Sequence, residues 1–109
     1  MRNLALLSLL ALCACGTVCD GVVASEQRQD QNAKSCGLNG ITVHDANKCN
    51  NNMSKCSQDD MTELNNYARC LDGLQMCTSS NKTSYSFALF GCGAQPFGRV
   101  SFSCYSAIF

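Results

Sequence analysis

Residues 56–77 read CSQDDMTELNNYARCLDGLQMC and join the clearest helical period of the chain to three of its ten cysteines. Ser57 is an N-cap residue whose hydroxyl can accept from the first free backbone N–H groups. Asp60, three positions on, sets a carboxylate at the positive end of the helix dipole. From there Met61, Leu64, Ala68 and Leu71 fall on one stripe at 3.6 residues per turn, with Tyr67 and Leu74 widening it. Thr62, Asn65, Asn66, Arg69 and Asp72 face the other way, and Gly73 supplies a stop. Cys70 sits at the border of the apolar stripe, where a half-buried sulfur meets a neighbouring segment, a position that suits a cystine.

A helix with one apolar stripe needs partners, and the flanking sequence offers them. Upstream, Asp45 can cap a second, weaker helix reaching Cys56, in which Cys49, Met53 and Cys56 share a face. Asn50, Asn51 and Asn52 oppose it, because Asn is a poor helix former; the alternative is an Asn-rich loop held by cysteines at both ends. Residues 36–42 (CGLNGIT) are turn-rich and predict a loop. Downstream, TSSNKTS (78–84) is polar and turn-like. In 84–92 (SYSFALFGC), Tyr85, Phe87 and Leu89 alternate like a strand while Tyr85, Ala88, Leu89 and Cys92 form a helical face. No second strong strand exists to pair with it, so helix is the reading. Gly93, Pro96 and Gly98 are expected to break the chain, and 100–109 to form a short terminal helix tied down by Cys104. The fold class is therefore mainly α, a small disulfide-stapled bundle of three to four short helices over residues 36–109.

The N-terminal part reads differently. Leu4 to Leu12 is an apolar run of nine residues behind Arg2, too short to span a bilayer and of the length of a signal-peptide core. The sequence Leu12-Cys13-Ala14-Cys15 resembles a bacterial lipobox, in which the cysteine sulfur takes a diacylglycerol; the resemblance implies a signal peptide over 1–14 and lipidation at Cys15. Cleavage after Ala24 leaves seven cysteines, and cleavage after Ala14 without lipid leaves nine, both odd. With Cys15 acylated, eight remain for pairing: Cys19, Cys36, Cys49, Cys56, Cys70, Cys77, Cys92 and Cys104. At roughly 0.8 kcal/mol per buried CH₂ the two or three chains of such an anchor hold firmly to a membrane. Gly16 behind the anchor carries no acidic retention signal, which suits the outer membrane. The alternative is a plain secreted protein with one free or intermolecular thiol.

Between anchor and domain, residues 15–35 read as a flexible tether, since Glu26 to Lys34 holds almost nothing to bury. Cys19 complicates that picture, because if it pairs it draws the domain to the membrane surface. Eight cysteines in a folded unit of this size point to an oxidising compartment and to covalent help for a small core. They allow 105 connectivities, and spacing selects none. Cys49 and Cys56 repeat the spacing of Cys70 and Cys77 at a 21-residue offset, but the intervening residues differ and two copies make a weak repeat.

Candidate chemistry is sparse. No C-x-x-C pair follows Cys15, so neither zinc nor thiol-redox chemistry is expected, and no cofactor. His44, the sole histidine, precedes Asp45, yet no serine is marked as its nucleophile, and a surface-loop role is expected. Asp59, Asp60 and Glu63 cluster where carboxylates complement the helix dipole, without the D-x-D-x-D-G spacing of a calcium loop. Equal numbers of acidic and basic residues, eight each, leave no basic stripe for nucleic acid. Two sequons, Asn52-Met53-Ser54 and Asn81-Lys82-Thr83, carry meaning only in a eukaryotic secreted chain.

The leader CGTVC, the Gln/Asp-rich lead-in and the segment KCSQDDMTELNNYARCLDGLQMC, followed by Cys92 and Cys104, together resemble the small cysteine-rich lipoproteins of myxobacteria. That resemblance implies an envelope-bound helical domain and brings no activity, substrate or catalytic residues with it. The expected function is a non-enzymatic lipoprotein of the bacterial cell envelope, a structural or interaction module that meets the membrane through its lipid anchor and a protein partner of unknown identity. The alternative is a soluble secreted cysteine-rich peptide, toxin or effector-like.

Overall fold

The structure is a computed structural model that describes residues 17–109. The lipobox, Cys15 and the signal-peptide reading lie outside the described residues. Five helices follow in order: α1 Val18–Ser35, α2 Ala46–Asn51, α3 Gln58–Asp72, α4 Lys82–Arg99 and α5 Phe102–Ile108, with a 3₁₀ turn at Met53–Lys55 after α2. There is no strand among the described residues, so the mainly-α reading holds: four of the helices lie within 36–109, and α1 adds a fifth from the segment in front of it.

The central segment forms α3 within one residue of its expected limits. Ser57 caps it, its Oγ accepting from the Asp60 N–H at 3.1 Å while the Asp60 carboxylate accepts from the Ser57 N–H at 2.9 Å, a complete capping box. Leu64, Tyr67 and Leu71 are its buried face. Gly73 ends it with φ −81°, so the left-handed freedom of glycine is not what stops the helix. That freedom is used instead at Gly37, φ +85°, where the chain turns out of α1. α3 packs on α1 on one side and on α4 on the other, while α5 closes against α2 and the 3₁₀ turn.

The tether expectation for 15–35 is overturned within 18–35, which is an 18-residue helix. Thr17 and Asp20 make a second capping box. Cys19, Val22, Val23, Glu26, Gln29 and Ala33 lie buried along α1, at helical spacing. Two of those six are Glu and Gln, which is why the segment looks unable to bury anything when read by hydropathy. A second correction falls on 93–98. α4 runs through Gly93, Pro96 and Gly98 without a break. Pro96 is buried in the last turn, where it forfeits the bond it would have donated to Cys92 and crowds that carbonyl, yet the Val100 N–H still closes the helix on the Pro96 carbonyl at 3.0 Å. α2 is short, ending at Asn51, which fits the helix-breaking asparagines.

All eight cysteines of the described residues pair, as Cys19–Cys49, Cys36–Cys77, Cys56–Cys104 and Cys70–Cys92. The four cysteines of the middle of the chain, Cys49, Cys56, Cys70 and Cys77, each take a partner from outside it, so the repeated spacing of six residues marks no internal pair. Cα separations of 4.6–5.8 Å lie in the range a cystine bridges. Their loops close 22–48 residues and tie α1 to α2, α3 to α4, α5 to the end of the 3₁₀ turn, and the end of α1 to the segment before α4. The main core gathers Cys19 and Val22 of α1, Cys49, then Leu64, Tyr67 and Leu71 of α3, with Cys92, Val100, Cys104 and Ile108. Three of the four cystines thus lie in the core as apolar mass as well as crosslinks.

Candidate functional site

The loop 36–44, between α1 and α2, is held extended across the molecule by two carboxylates of α1. The Ile41 N–H donates to Asp30 Oδ1 at 2.9 Å and the His44 N–H to Glu26 Oε1 at 3.0 Å. At Gly40 the chain passes so close to Asp30 and Lys34 that a Cβ would collide with both side chains. This loop forms one bank of a cleft; the facing bank is α4. Its floor is α3.

The cleft has a volume of about 690 Å³, within the range of small-molecule sites. Leu38, Ile41, Leu71, Leu89, Phe90, Phe97 and Tyr105 supply most of its wall. A second hollow of about 540 Å³ continues it along α4, sharing Leu38, Ser86 and Phe90 and ending at Lys82 and Thr83. The outer face of α4 explains how the wall arises. Its buried residues are Tyr85, Cys92 and Pro96, whereas Phe87, Phe90 and Phe97 are 75–78% exposed. Fully sixteen consecutive residues, Thr83 to Gly98, carry no charge. A single large apolar side chain in water is ordinary, but several at i, i+3 and i+10 of one helix form an exposed patch that calls for an explanation.

Under the cleft lies one buried polar cluster. Glu26 has no solvent exposure, and its Oε2 accepts from the Tyr67 hydroxyl at 2.8 Å and meets His44 Nδ1 at 2.7 Å. With the backbone bond from His44, three donors converge on one carboxylate, which is how a buried charge is made tolerable. Burial first, and the neighbouring Glu26 charge second, push the Tyr67 hydroxyl far above the ordinary tyrosine range, so it stays protonated and keeps donating. Gln29, one turn further along α1, donates to the Leu71 carbonyl at 2.8 Å and accepts from the Tyr85 hydroxyl at 2.8 Å, joining α1, α3 and α4. Burial also raises the Tyr85 hydroxyl.

His44 is therefore not a loose surface-loop residue. Its ring is fixed by Glu26 on one side and by Phe109 at 4.5 Å, while Asp45, its neighbour in sequence, faces away and caps α2. With Nδ1 turned to the carboxylate, Nε2 has no protein partner among the described residues. A carboxylate and a histidine aligned this way serve as two parts of a hydrolytic triad only where a nucleophile bonds the imidazole. Ser86 borders the same cleft, but its hydroxyl donates to the Lys82 carbonyl at 2.9 Å.

Cys56, Asp60 and Cys104 also come together, their ligand atoms within 4.8 Å of one another. Both sulfurs are spent in a cystine, which is no metal ligand. The Asp60 carboxylate is taken by the Ser57 N–H and by the Ser101 N–H and hydroxyl at 2.7–2.9 Å. Those backbone donors, Ser101 before Ser57, hold Asp60 well below the usual carboxylate range, at about 2. This cluster joins the starts of α3 and α5. Asp59 and Glu63, grouped with Asp60 in the sequence, have no part in it.

No protein-family model, curated protein or solved structure matches the chain.

Proposed function

We propose that this chain is a disulfide-stapled binding module of the bacterial envelope, lipid-anchored at Cys15 and suited to the outer membrane, and that it works without catalysis by holding a partner in the cleft between loop 36–44 and α4. The observation that carries the reading is the composition of that cleft. Its wall is mostly apolar, and His44 and Tyr67, which reach the cleft, are both held from beneath by the buried Glu26 carboxylate. A site of this kind suits binding through apolar burial.

The position of α1 supports an N-terminus in front of it. Processing after Ala24 would delete Cys19 and Val22, both core residues, and strand Cys49 without its cystine partner. Processing at Cys15 leaves α1 whole. Four cystines, and the exposed Phe87 and Phe90 beside the cleft, suit a protein that works outside the reducing cytosol against another surface. No helix of the described residues is long and apolar enough to cross a membrane; in this reading the acyl chains on Cys15 supply the anchor.

Two measurements test this. The intact mass of the protein extracted from its own membranes should carry the acyl chains on Cys15; a soluble chain beginning at Ser25 refutes the envelope assignment. An uncharged apolar dye should bind the purified domain saturably and be expelled by Ala94→Trp, which fills the cleft from an exposed position. A dye that ignores that substitution refutes the cleft as the binding face.

A further inference from the structure

The two hollows along α4 adjoin at Leu38, Ser86 and Phe90 and together follow the helix as one groove-like surface. It runs from Lys82, the first residue of α4, to Phe97 and Tyr105. Along the helix axis, fifteen residues at 1.5 Å each make its length about 22 Å. That exceeds the roughly 15 Å of one bilayer leaflet's hydrocarbon, so a long acyl chain fits lengthwise.

Charge is distributed unevenly about this groove. All eight carboxylate side chains lie between Asp20 and Asp72, and residues 73–109 hold only Lys82 and Arg99. Lys82 is the one charged residue that lines either hollow. Among the described residues it has no ion-pair partner, whereas Arg28 and Lys34 are paired with Asp72 and Asp30. Its ammonium stands over Gly37, where an added Cβ would lie 3.4 Å from Nζ, and Thr83 and Ser86 set hydroxyls at the same end. The groove is thus mostly apolar, cationic at one end and free of carboxylates on its α4 bank.

We propose that the groove binds a single-chain anionic amphiphile, a hydrocarbon tail with a carboxylate or phosphate head, whose head pairs with Lys82 Nζ and whose tail lies along Phe90, Leu89 and Ala94 toward Phe97. The assignment rests on the cleft being the binding face and narrows it to one ligand chemistry. The tail is held by apolar burial, which scales with chain length, and the head by one charge-assisted contact at a half-buried cation. A cationic head has no acidic partner there. An uncharged head loses the Lys82 contact alone.

The test is calorimetric titration of the disulfide-intact mature protein with sodium hexadecanoate below its micelle concentration, alongside hexadecan-1-ol, hexadecyltrimethylammonium and octanoate. Expected is saturable 1:1 binding in the order hexadecanoate, hexadecanol, then the cation, with octanoate much weaker. Lys82→Ala should weaken hexadecanoate about tenfold or more, one charge-assisted bond's worth, and leave hexadecanol unchanged. Ala94→Trp should abolish both. An affinity order indifferent to head charge, or a Lys82→Ala variant that binds hexadecanoate normally, overturns the proposal. So does sedimentation with phosphatidylglycerol vesicles without binding of free hexadecanoate, which assigns the aromatic face to a membrane surface. If the uncharged dye binds and responds to Ala94→Trp while hexadecanoate fails to displace it, the cleft stands as the binding face and the amphiphile alone is wrong. If neither binds, both fall.

Discussion

Glu26 of α1 and Tyr67 of α3, 41 residues apart, share a 2.8 Å hydrogen bond inside the core, and the same Glu26 oxygen meets His44. One carboxylate thereby fixes α3 and the loop that forms a bank of the cleft. Glu26→Ala leaves the Tyr67 hydroxyl, the His44 N–H and His44 Nδ1 without their acceptor. At about 1–3 kcal/mol for each stranded buried group, the loss should be on the order of 3 kcal/mol or more. Tyr67→Phe removes one bond and should cost about 1 kcal/mol. Urea unfolding of the two variants checks the ranking.

Asp60 links acid to stability. Its folded-state pKa of about 2 lies below the ordinary 3.8, because the Ser101 and Ser57 backbone N–H groups favour the charged form. The stabilisation is therefore fully present above about pH 4 and is lost as pH falls toward 2. Thermal melts over that interval should show the decline, and Asp60→Asn should flatten it while lowering stability at neutral pH through the weakened cap.

The cystines should differ in worth by the length of chain they close. By loop-closure entropy, replacing Cys70 and Cys92 by Ser, a separation of 22, costs about 3 kcal/mol; replacing Cys56 and Cys104, a separation of 48, costs about 4 kcal/mol. Either is a large share of the stability of a small domain. Denaturant midpoints of the two double variants should fall in that order.

The outer face of α4 should be dispensable for folding. Phe87→Ser and Phe90→Ser, at positions 75% and 78% exposed, should change stability by less than about 0.5 kcal/mol, whereas Leu64→Ala, fully buried, should cost about 2–5 kcal/mol. Phe90→Ser should nevertheless impair binding in the cleft. Loss of binding without loss of stability separates surface function from core packing.

The central helix was legible because cap, stripe and stop agree over one stretch: Ser57 and Asp60 at one end, Leu64, Tyr67 and Leu71 on the inner face. α1 was hidden because Glu26 and Gln29 occupy core-facing positions that hydropathy scores as solvent. The signals present were the Thr17–Asp20 capping box and the buried spacing of Cys19, Val22, Val23 and Ala33. In α4 the glycines and Pro96 suggested a break, but Gly91, Gly93 and Gly98 face open space, where the missing side chain costs only local stability. The cleft was out of reach of sequence reasoning for a different reason. His44 finds its carboxylate 18 residues upstream, and the groove exists only once loop 36–44 is laid against α4. Pairing of the cysteines is likewise a property of the assembled helices.

Everything turns on α1 being part of the stapled domain. Proteolytic mapping of the unreduced protein from its own cells, by mass spectrometry, addresses this directly. The account predicts four linked peptides, Cys19 with Cys49, Cys36 with Cys77, Cys56 with Cys104 and Cys70 with Cys92, on a chain that still contains Thr17 to Ala24. A mature chain that starts at Ser25, or a free thiol at Cys49, would contradict it.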